Sequence, residues 1–166
     1  MNKIKQIFLT VVLVLSFNHV FASETSQGLK FPDGPDQKVT PGDICHSGTK
    51  RYPEGISYCN RDVDSKLKNV IMNQYDHNLG FDTMEMPRGD FKIDHFIPLC
   101  AGGSNDQSNL WPQHKSVYSV TDPLEPLVCE KMAAGRLLQR DAIELIKKAK
   151  LDLNQANNVI VYVRGL

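Results

Sequence analysis

Apolar positions recur along this chain with more than one period, and each period predicts a different element. Val63, Leu67, Val70, Ile71 and Tyr75 keep helical spacing, so a helix is expected from Asp62 to about His77-Asn78, with Asp62 or Asn60 as its cap and Gly80 beyond its end. Phe91 to Leu99 reads as a strand, bounded by Pro87 and Gly89 before it and by Gly102-Gly103 after it. A polar loop from Ala101 to Ser108 follows, and Asn109-Leu110-Trp111 resumes the apolar character. Asp122-Pro123-Leu124-Glu125 has the form of a helix start, with an aspartate cap, proline at the first position and glutamate at the third. That helix should pass Cys129 and stop before Gly135. A further helix is expected over Gln139 to Lys150, with Ala142, Ile143, Ile146 and Ala149 on one face, and Val159 to Val163 alternates as a strand does. Residues 23–42, with Gly28, Pro32, Gly34, Pro35, Pro41 and Gly42, read as an extended lead-in. No internal repeat or second domain is visible. The expectation is one α+β domain over residues 43–166.

The first residues change the picture of where this domain works. Lys3 and Lys5 precede an apolar run from Ile7 to Phe17, and Val20-Phe21-Ala22 offers a small-residue cleavage site. This is the pattern of a secretory signal peptide over residues 1–22, and the run is too short to span a bilayer. Export to the periplasm or the medium is therefore expected. Lys3 and Lys5 are two of the 19 basic residues, and none of the 19 acidic ones lies in the leader, so the remainder carries two net negative charges. That balance counts against broad nucleic-acid binding, although a nuclease needs only a local basic groove. Four cysteines, Cys45, Cys59, Cys100 and Cys129, all lie after the leader. An even count in an exported chain predicts two disulfides. Of the three pairings, Cys45–Cys59 with Cys100–Cys129 joins neighbouring segments without crossing, and each bridge would stabilise by roughly 3 kcal/mol.

Chemistry concentrates between Phe91 and Pro112. The ordered run is a strand ending in Asp94-His95, then Ile97-Pro98-Leu99, Gly102-Gly103, and Asn109-Leu110 fourteen residues beyond the histidine. This arrangement resembles the HNH branch of the ββα-metal nucleases, over about twenty residues, with Lys92-Ile93-Asp94-His95 and Trp111-Pro112-Gln113 as the most telling parts. The resemblance implies a β-hairpin packed on a helix, with Asp94 binding one Mg²⁺ or Mn²⁺ ion, His95 facing the attacking water, and Asn109 either a second ligand or the residue holding the histidine's loop. An imidazole with a pKa near 6.5 can take a proton from water at neutral pH, and carboxylate and amide oxygens are hard donors suited to those cations. Successive strand residues point to opposite faces, so Asp94 and His95 can share a site only at a strand end, twist or bulge.

Downstream the pattern departs from the family. Tyr118 stands where many members carry histidine, and Asp122 is a candidate third ligand whose plainer role is a helix cap. Glu125 has the same ambiguity. Arg88 is a candidate phosphate contact or a turn arginine, and His114 a candidate substrate contact or a surface histidine. Trp111 suits either base stacking or the core. Two functions follow from these readings. One is an exported endonuclease cutting DNA, with RNA left open, at little sequence preference. The other is a non-catalytic, disulfide-bonded binding module on the same scaffold, favoured by the net charge and by Tyr118.

Overall fold

The computed structural model describes residues 30–166, so the leader read at residues 1–22 and the first residues of the lead-in lie outside the described residues. The described chain combines helices with two small antiparallel sheets, the α+β class expected, with one sheet between Cys45 and Cys59 that the pattern did not predict. β1 (Lys50–Arg51) and β2 (Ile56–Ser57) form a short hairpin. α1 (Ser65–Leu79) is capped by Asp64 rather than Asp62 or Asn60: the Asp64 Oδ1 accepts from the Leu67 N–H at 2.7 Å. Gly80 closes this helix with a left-handed φ of 76°, a conformation that costs glycine nothing.

The second hairpin pairs β3 (Phe91–His95) with β4 (Leu110–His114) in unbroken register, Phe91 opposite His114 and His95 opposite Leu110. Just past it, the Phe96 N–H donates to the Asn109 carbonyl at 2.7 Å. Hydrogen-bonded pairs alternate along an antiparallel ladder, so the backbone polar groups of Phe91, Ile93 and His95 point away from β4. Pro112, opposite Ile93, sits at a position where its missing N–H is not required. The turn returns through Gly102 and Gly103. A Cβ on Gly103 would collide with the Ile97 carbonyl, which is why the approach tolerates only glycine.

α2 (Lys115–Thr121) follows β4 directly, with α3 (Leu124–Ala133), α4 (Gln139–Leu151) and α5 (Leu153–Gly165) after it. Two expectations fail here. Asp122 ends α2, Pro123 takes the cap position of α3, and no side-chain hydrogen bond caps that helix. Val159–Val163 is helical, not a strand: Ala156, Val159, Ile160 and Val163 form the buried stripe of α5 against α3 and α4. The helical spacing of that stripe, which begins at Ala156, overrides the β-branched preference. A second cluster joins Ile71, Met72 and Tyr75 of α1 to Phe91, Ile93, Leu110 and Trp111 of the hairpin.

Both expected disulfides are present. Cys45–Cys59 closes the loop around β1 and β2, and Cys100–Cys129 ties the turn after β3 to α3. The lead-in is packed rather than loose: the Phe31 ring stacks on His114 at 3.9 Å, and the buried Thr40 hydroxyl donates to the Leu110 carbonyl at 3.0 Å. Among the described residues, no helix is long and apolar enough to cross a membrane.

Candidate active site

β3 carries the chemistry-bearing dipeptide at its end, and regular pairing sends its two side chains to different surroundings. The His95 residue is only 4 % exposed, yet both ring nitrogens meet polar atoms. The Asn105 side chain is oriented by two backbone contacts, Nδ2 donating to the Asn60 carbonyl at 2.8 Å and Oδ1 accepting from the Asp62 N–H at 3.1 Å. Its oxygen therefore faces the His95 Nε2, 3.0 Å away, and the imidazole must be the donor there. That assigns the proton to Nε2 and leaves Nδ1 as an acceptor. The exposed Arg61 guanidinium stands against this nitrogen at 3.1 Å and also donates to the Ile93 carbonyl at 2.8 Å. Burial holds the His95 pKa below its ordinary value; the Asn105 hydrogen bond opposes this, and the Arg61 charge adds to it. His95 is thus a neutral imidazole with its lone pair turned toward a surface arginine.

Asp94, the preceding residue, faces helices instead. Lys150 of α4, 4 % exposed, donates to the Asp94 Oδ2 at 2.7 Å and to the His95 carbonyl at 2.6 Å. Lys92 lies on the same face two residues back, 3.5 Å from the Asp94 Oδ1. Its ammonium also bonds both oxygens of Asp122, at 2.6 and 2.8 Å. Burial pushes the Asp94 pKa up, but Lys150 and Lys92 together more than reverse this and hold it below the usual carboxylate value. Glu125 of α3 belongs to the same group, its pKa raised by burial against the pull of Lys150. A cavity of about 10 Å³ remains between Asp122, Glu125 and Lys150, room for roughly one water. Gln113, opposite Lys92 on the ladder, is fully buried; its Nε2 donates to the Thr121 hydroxyl, and its Oε1 has no partner among the described residues.

The other predicted residues are distributed as follows. Asn109 is completely buried, and its amide is spent on the loop: Oδ1 accepts from the Ile97 N–H at 2.8 Å, while Nδ2 donates to the Ile97 and Ser104 carbonyls, both at 2.9 Å. Of its two expected roles, this geometry is that of the loop holder. Arg88 donates to the Phe91 carbonyl at 2.8 Å, and the His114 Nδ1 lies 2.8 Å from the Ser116 hydroxyl. Both stand at the opposite end of the hairpin from His95, four residues or roughly 13 Å away along the strand. Trp111 is fully buried in the core. Asp122 ends α2 and does not cap α3; its side chain pairs with Lys92.

Three residues next to the dipeptide escaped the sequence reading: Arg61, Asn105 and Lys150. Asn105 lies inside the telling run, but Arg61 and Lys150 sit 34 and 55 residues from His95, with no local signal to connect them. Cys100, Glu125 and Cys129 also come together. Their sulfurs are bonded to each other, so this group offers a cation only the Glu125 carboxylate. No protein-family model, curated protein or solved structure matches the chain, so any family membership rests on the residues described above.

Proposed function

We propose that this protein is an exported endonuclease that hydrolyses phosphodiester bonds of DNA, with RNA as a second substrate class, and that His95 is its general base. The observation that carries the reading is the pair of contacts at the His95 ring, Nε2 on the Asn105 amide oxygen and Nδ1 turned to Arg61. A phosphate that draws the guanidinium outward leaves the Nδ1 lone pair facing the space beside it. A water there gives its proton to Nδ1 as its oxygen bonds to phosphorus, and the bond to the 3′ oxygen breaks with its electron pair left on that oxygen, which takes a proton from solvent. The depressed pKa keeps the imidazole unprotonated at neutral pH. Arg61 then neutralises the anionic phosphate oxygens, a use suited to its planar fork of donors. Lys150 holds the strand end in place through the His95 carbonyl, and Asn109 fixes the loop that follows.

The residues on the Asp94 face fit a divalent cation in part. The Lys92 ammonium lies 2.6 Å from Asp122 and 3.5 Å from Asp94, which supports positive charge near both carboxylates, and these are hard oxygen donors of the kind Mg²⁺ and Mn²⁺ take. Asp94 and Asp122 would hold that ion in place of Lys92, and Asn109, with its amide spent, would not. Such an ion would lie on the face of the hairpin opposite the His95 ring, and the chemistry it would supply is neutralisation of charge on phosphate oxygens that reach that face.

The second reading, a non-catalytic binding module, draws support from the pairing of both carboxylates with lysines. The two readings part in one assay. Oxidised protein lacking residues 1–22 is incubated with supercoiled plasmid and with RNA, in Mg²⁺ or Mn²⁺ and in excess EDTA. Nicking that requires the metal supports the nuclease; folded protein that leaves both nucleic acids intact with every divalent ion supports the binding module.

A further inference from the structure

The carbonyls of Phe91, Ile93 and His95 all point out of the hairpin on the same free edge of β3, and each is met by a cationic side chain. Arg88 donates to Phe91, Arg61 to Ile93 and Lys150 to His95. An unpaired strand edge normally invites another strand; here a row of positive charge covers it. Lys150 is buried and committed to Asp94. Arg88 and Arg61 are exposed, and a guanidinium has five N–H donors, so each keeps several after serving its carbonyl. Their carbonyls lie two residues apart, roughly 6.8 Å, which is of the order of the separation between successive phosphates on one nucleic-acid strand. Asp90, next to Phe91, is paired with Lys115 at 2.7 Å, and Asp94, within the strand, with Lys150 at 2.7 Å, so neither cancels the charge of Arg88; the exposed Asp62 follows Arg61 in the chain.

We propose that the free edge of β3 is a track for a single nucleic-acid strand, on which Arg61 holds the phosphate beside His95 and Arg88 holds the next one. This rests on the reading of His95 as the centre of a nuclease site and adds the direction in which substrate runs: along β3, from its His95 end toward Phe91. It also explains how a chain with no net charge, and two net negative charges without residues 1–22, can bind a polyanion, since the needed charge is local. The contacts are to backbone only and carry no sequence information.

The test is binding without cleavage. A fluorescein-labelled oligothymidylate is titrated in EDTA over a series of salt concentrations, following anisotropy. Each phosphate contact contributes about 0.7 to the slope of log affinity against log salt on a single strand. Arg61→Gln and Arg88→Gln are each expected to lower that slope by about 0.7, and the double variant by about 1.4. Arg88→Lys should retain the slope, which separates loss of charge from loss of the Phe91 cap. Arg140→Gln, on the exposed start of α4, should leave it unchanged. An unaltered slope in Arg88→Gln overturns the track, as does absence of binding at low salt, or polyglutamate competing as well as unlabelled oligothymidylate. Wild-type protein that binds with the expected slopes but cuts nothing in Mg²⁺ or Mn²⁺ overturns the nuclease reading and leaves the track standing.

Discussion

Asp94 and His95 are neighbours on one strand, yet their two sides of the hairpin are held in opposite ways. On the Asp94 side a buried ammonium from a helix 56 residues away is clamped between a carboxylate and a backbone carbonyl. On the His95 side the partners are an amide and a guanidinium from loops, with Arg61 exposed and Asn105 half-buried. Opening the first side strands a charge in a low-dielectric interior, which is costly. Opening the second moves one arginine into water, which costs little. The difference teaches where movement is permitted: the strand end is anchored from the Asp94 face so that the His95 face can exchange partners.

The largest effect should come from breaking the anchor. Lys150→Ala leaves the buried Asp94 with only the Lys92 ammonium, 3.5 Å away, as counter-charge and should cost about 3 kcal/mol in chemical denaturation, against about 1 kcal/mol or less for Arg61→Ala. Equal losses for the two variants would erase the contrast between the faces. Asn109→Ala removes an amide that satisfies the Ile97 N–H and two carbonyls, and should cost about 2–3 kcal/mol. The same variant should leave the affinity for Mn²⁺ unchanged, whereas a ligand role would abolish binding. Lys92→Met removes the ammonium shared by Asp94 and Asp122. Calorimetric titration should then show Mn²⁺ binding about tenfold tighter than in the wild type; weaker binding would mean that Lys92 supports the site instead of occupying it.

The smallest effect is a dependence of stability on pH. The unfolded imidazole of His95 takes up a proton near its ordinary value of 6.5, while the folded one resists it. As pH falls below 6.5 the unfolded state binds more protons, and stability declines until the folded pKa is passed. Above 6.5 both forms are neutral and this contribution is flat. Asp94 acts in a lower window: held below 3.8 when folded, it contributes stability that is present above that value and lost as pH falls through the folded pKa. Melting curves of His95→Gln should be flatter between neutral pH and the folded pKa. His114, also lowered by burial, would retain a smaller slope there.

The parts of this molecule that were legible in the sequence are those specified by neighbours in the chain. β3 announced itself through an apolar run bounded by glycines, although it ends at His95 and not at Leu99, its return as a hairpin was implied by the resemblance of the run, and α4 showed in the spacing of its apolar face. The disulfides followed from pairing neighbouring segments without crossing. α5 was misread because Val159 to Val163 alternates within five residues, and only Ala156, one turn earlier, completes the helical stripe. Asp122 was misread because its partner, Lys92, is set by tertiary packing and not by the proline after it. Arg61 and Lys150 were invisible for the same reason: a cation's role on the β3 edge depends on which carbonyl the fold brings to it.

Chemical rescue tests the central claim most directly. His95→Gly should abolish metal-dependent nicking of supercoiled plasmid, and added imidazole should restore it with a dependence on the free-base form, since the vacated space lies beside Arg61. A variant that cuts as well as the wild type would show that His95 is not the base. Wild-type protein that never nicks DNA or RNA would contradict the account at its root.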